Sequence, residues 1–73
     1  MKHDPIIRQI VARCHVSETP RAVARYVISR LARGYETWRS TPRARRCAAL
    51  RQIFTDHAAN RRTYAQVMKG ARP

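Results

Sequence analysis

Three dipeptides divide this chain before anything else about it matters: Asp4-Pro5, Thr19-Pro20 and Thr41-Pro42. In each, a side chain able to accept hydrogen bonds from the free amides of a first helical turn is followed by proline. Proline has its φ preset for the first helical position and no amide to leave unpaired there. Three helix starts are therefore marked. Glycine occurs only at positions 34 and 70, and no stretch alternates apolar with polar residues as a strand would. The chain reads as all-α, one small basic helical domain over residues 1–73, built as a bundle of three helices.

The apolar spacing sets the bounds. A first helix over about 5–14 carries Ile6, Ile7, Ile10, Val11 and Cys14 on one stripe, with Arg8, Gln9 and Arg13 opposite. A second starts at Pro20, with Ser17 a competing cap. Its stripe of Val23, Ala24, Val27, Ile28 and Leu31 stays in phase through Tyr35 and Trp38, which favours one helix over about 20–39 passing through Gly34. The competing reading ends this helix at Gly34 as a left-handed cap. A third helix over about 42–58 presents Cys47, Leu50, Ile53, Phe54, His57 and Ala58. Continued further, it would place Arg61 in the middle of the stripe. A break near Asn60 and a short fourth helix over about 61–69 would avoid that.

At 73 residues the chain has a thin core, so a homodimer is one way to cover its apolar stripes. Its charge points outward to a partner. Sixteen Lys and Arg face four Asp and Glu, for a net charge of +12, and a balance of that kind favours nucleic acid, an anionic surface or an acidic protein face. All but two of the cations are arginine, whose planar fork grips phosphate or carboxylate with two hydrogen bonds.

Two groups of residues carry that expectation. The outer face of the second helix holds Arg21, Arg25, Tyr26, Arg30 and Arg33, cations that pair with phosphates around an aromatic that can stack on a base. Arg39, Arg43, Arg45 and Arg46 cluster at the turn into the third helix and its first turn. Cations oppose the helix dipole there, so local stability does not explain them. The expected site is the corner between the two helices. DNA or RNA, held mainly by its phosphate backbone, is the leading partner. The alternative is an acidic protein surface, which a small phage-type host-takeover or anti-defence protein would dock on and inhibit.

The string IVARCHVSETPRAVARYV resembles a helix-turn-helix, with Val16-Ser17 at the turn and the apolar Val23 and Val27 following on the second helix. It departs from that pattern in having no glycine in the turn and a second helix that starts late. The resemblance covers about 20 residues and implies DNA binding by the second helix.

Other classes fare worse. No run approaches the roughly 18 apolar residues of a membrane span. The amino-terminal stretch has charges inside its apolar run and no small-residue cleavage site, so a cytoplasmic protein with no membrane partner is expected. Cys14 and Cys47 both fall on apolar faces and are expected as buried free thiols. With His3, His15 and His57 they show no metal-ligand spacing, so neither a metal nor a cofactor is expected. Asp56 and His57 are adjacent and point about 100° apart on a helix, a poor orienting pair, and no enzyme is expected.

Overall fold

Asp4 acts as its place before Pro5 predicts. Its Oδ1 accepts the Ile6 amide at 2.8 Å and its carbonyl takes the Arg8 amide at 3.2 Å. From this cap α1 runs Pro5–Ala12. Thr19 caps the next helix in the same way, its Oγ1 accepting the Ala22 amide at 3.1 Å, and α2 spans Pro20–Gly34. α3 is Arg43–Gly70, 28 residues. The structure, a computed structural model, describes residues 4–34 and 40–70. Among these the chain is all-α, three helices with no strand.

The boundaries depart from expectation in three places. α1 stops at Ala12, short of Cys14, because the amides of Arg13 and Cys14 bond three residues back, to Ile10 at 3.1 Å and Val11 at 3.0 Å, and tighten the last turn. Ser17 does not cap α2; its amide instead donates to His15 Nδ1 at 3.1 Å inside the connecting turn. α3 takes its first bond from the Arg46 amide to the Pro42 carbonyl at 3.0 Å, so it starts at Arg43, one residue later than the Thr41-Pro42 pair predicts.

The largest correction concerns Asn60. α3 passes through it unbroken, and 61–69 is the continuation of α3 rather than a fourth helix. A break would have kept Arg61 off a buried stripe. Residues 61–70 are all exposed, so Arg61 already has water around it and the helix has no cause to stop. The continuation of α2 through Tyr35 and Trp38 lies outside the described residues.

α1 and α2 pack on the first half of α3. The core joins Ile7, Ile10 and Val11 of α1, Val23, Ala24, Val27 and Leu31 of α2, and Ala49 and Ile53 of α3, with Ile6, Cys14 and Leu50 against its edge. Val11, Val23, Val27 and Ile53 are completely enclosed, each contributing about 1.5–3 kcal/mol by leaving water. The α1 and α2 stripes are those the spacing predicts. The α3 stripe is rotated: Ala49, Ile53 and His57 are buried, while Cys47, Phe54 and Ala58 face solvent.

Gln52 shows what fixes that rotation. Its Oε1 accepts the Asp4 amide at 2.9 Å and its Nε2 donates to the Asp4 carbonyl at 2.7 Å, pairing the α1 cap with α3 as two peptide groups would pair. Turning Gln52 toward α1 swings Phe54, two positions on, about 200° away around the helix. Gln52→Ala should therefore lower stability by about 1–2 kcal/mol, since the part-buried Asp4 amide loses its partner and the Asp4 carbonyl loses one of two. Thermal unfolding followed by circular dichroism checks this; an unchanged midpoint would mean that the pairing is replaced by water at no cost.

His57 holds the other end of the bundle. It is 1% exposed, and its Nε2 donates to the Glu18 carbonyl at 2.8 Å, tying α3 to the segment that leads into α2. A carbonyl only accepts, so the proton is on Nε2. Nδ1 is enclosed without a hydrogen-bond partner.

Candidate nucleic-acid interface

The rotation of α2 is set by what it buries. Val23, Ala24, Val27 and Leu31 point into the core, and at about 100° per residue they leave roughly half the circumference outside. Arg25, Tyr26 and Arg33 fall within that outer half and Arg21 and Arg30 stand at its two borders, and all five are exposed, Tyr26 by 42%. α2 contains no Asp or Glu, so nothing on the helix itself offsets the four guanidinium groups. Arg21 and Arg25 share an open hollow of about 320 Å³ with Thr19 and Ala22. Helical spacing alone puts the two arginines on one face but does not reveal the hollow, because the contribution of Thr19 depends on how the chain enters α2.

The second group is less uniform. Arg43 and Arg45 are exposed in the first turn of α3, which holds no acid. Arg46 is half-buried, in phase with Ala49 and Ile53, and its Nε is enclosed without a hydrogen-bond partner. Arg39, and with it the corner that would join the two groups, lies outside the described residues. Seven of the nine candidate side chains are thus exposed, five of them around the outer side of α2.

The connection Arg13 to Thr19 is seven residues long, against the three or four of a helix-turn-helix turn, and the resemblance to that motif ends there. The connection has its own bracing. His15 Nδ1 lies 2.6 Å from Ser17 Oγ and accepts the Ser17 amide, so Nδ1 is the acceptor for both and the ring proton is on Nε2. The same ring tilts against Tyr64 of α3 with centroids 6.5 Å apart.

Among the described residues no three His, Cys, Asp or Glu side chains come together to hold a metal ion. Asp56 and His57 are engaged apart from one another: Asp56 Oδ2 accepts from Gln52 Nε2 at 3.2 Å, while His57 is held by Glu18. The cysteines are free, and Cys47 is exposed rather than buried because α3 turns it outward with Phe54. Cys14 is half-buried, and burial first, then the charge of Glu18, raises its thiol above the usual range. A maleimide at neutral pH should therefore label Cys47 well before Cys14, with mass spectrometry resolving the order; equal rates would contradict this burial pattern.

No described helix is long and apolar enough to cross a membrane. Comparison with protein-family models, with curated proteins and with solved structures finds no match to this chain.

Proposed function

We propose that this protein is a non-enzymatic binding module, a small regulator that holds nucleic acid mainly by its phosphate backbone. The observation that carries this reading is the outer face of α2, with four exposed arginines, an exposed tyrosine and no acid, backed by a buried stripe that fixes which way they point. Guanidinium forks suit phosphate oxygens in pairs, and Tyr26 offers a ring on which a base or sugar can stack. Arg43 and Arg45 extend the cationic surface at the start of α3. Contacts of this kind give affinity and register with little base discrimination.

Binding of a labelled DNA duplex and of an RNA strand, followed by fluorescence anisotropy, tests the reading. Affinity should fall linearly on a log–log plot against salt, by about three to five powers of ten between 50 and 200 mM if six to ten phosphates are neutralised. Absence of binding to either nucleic acid at the lowest salt would overturn it.

A further inference from the structure

The core face of α3 does not end where the bundle ends. Ile53 and His57 are its last fully buried residues, and α3 continues for 13 more, to Gly70, roughly 20 Å of helix. The molecule measures 51 × 23 × 18 Å, its long dimension drawn out by this helix. At about 100° per residue, Tyr64, Val67 and Met68 stand within about 60° of the direction taken by Ile53 and His57. They are 47%, 62% and 50% exposed. The stripe that α1 and α2 cover in the first half of α3 thus runs on in the second half, where the His15 ring leans on Tyr64 and Val67 and Met68 stay open to solvent.

We infer that residues 58–70 form a docking arm for a protein partner, an apolar groove bordered by carboxylates that takes the helix by Tyr64, Val67 and Met68. The spacing of these three is that of a helix laid in a groove, with anchors at i, i+3 and i+4. The charge selects the border. After Asp56 the described chain has no acid, while Arg61 stands at the edge of the stripe and Arg62 and Lys69 behind it. That charge also argues against a second copy of this chain, which would bring like charges together over three side chains. These expose far less than the roughly 800 Å² per partner of a stable interface. Phosphates would meet the arginines but leave Val67 and Met68 uncovered.

This surface is independent of the α2 arginines, and the experiment separates the two. Calcium-loaded calmodulin, an acidic protein with methionine-lined grooves that accept basic amphipathic helices, serves as the probe, with the full chain as its ligand. Wild type should bind with a Kd of about micromolar or tighter, and V67S/M68S should bind at least about tenfold more weakly. The same variant should keep its helical circular dichroism and its duplex DNA affinity, because neither side chain is in the core or on α2. Five results would overturn the inference. Two are no calmodulin binding and equal binding by the variant. The others are loss of DNA affinity in V67S/M68S, a wild-type dimer in light scattering that the variant makes monomeric, and wild-type binding to phosphatidylserine vesicles that the variant loses.

Discussion

Ile53→Ala should unfold this protein more readily than an alanine substitution at either neighbouring position, at a cost of about 2–5 kcal/mol for the methyl and methylene groups removed from an enclosed site. For 73 residues the whole stability is on the order of 4–11 kcal/mol, so one side chain decides a large part of it. The thermal midpoint should drop by more than about 10 °C. Phe54→Ala, one residue on, removes a larger side chain that is 44% exposed and should cost about 1 kcal/mol or less. The pair measures the rotation of α3 directly. A larger loss at Phe54 than at Ile53 would mean that α3 presents a different face to α1 and α2.

The second large effect concerns binding. R25E/R30E reverses two charges on the outer side of α2, and R8E/R13E makes the same change in net charge at exposed positions on α1 and at its end. If phosphates lie along α2, the first variant should lose at least about tenfold more duplex affinity than the second, since charges against the phosphates matter more than charges a Debye length away. R43E/R45E should fall on the α2 side of that comparison. Equal losses in all three would mean that only the net charge of +12 matters and that no face is a site.

The features legible in the sequence are those decided locally. Asp4 and Thr19 cap the amides within three residues of themselves, so the starts of α1 and α2 can be read from a few letters. The outward arginines of α2 follow from Val23, Ala24, Val27 and Leu31, because burying one half of a helix exposes the other. α3 resists the same treatment. Ile53 and Phe54 are adjacent and both apolar, and the choice between them is made by Gln52 reaching Asp4, 48 residues away in sequence. Asn60 suggests a break only if Arg61 would otherwise meet a core, and the lengths of α1 and α2 show that the core has ended before it. The half-burial of Arg46 follows from the same rotation, since it is in phase with Ala49 and Ile53.

That rotation ties fold to function in one respect. The Gln52 pairing holds α3 to the start of α1, and the His57 bond to Glu18 holds it to the segment just before Thr19 and α2. The direction of the α2 arginines therefore depends on hydrogen bonds made by side chains well away from them. Weaker binding by Gln52→Ala would need a stability measurement beside it before Gln52 is read as touching the nucleic acid.

Phosphate binding by the α2 face is the central claim, and the salt dependence of affinity reports it most directly. R21Q/R25Q/R30Q/R33Q removes the four guanidinium groups while leaving the buried stripe of α2 untouched. On duplex DNA, each phosphate that is no longer neutralised lowers the steepness of log affinity against log salt by about 0.9, so the wild-type slope should flatten by up to roughly 3.6. A slope that keeps its wild-type value in a variant that still binds would contradict phosphate binding by this face.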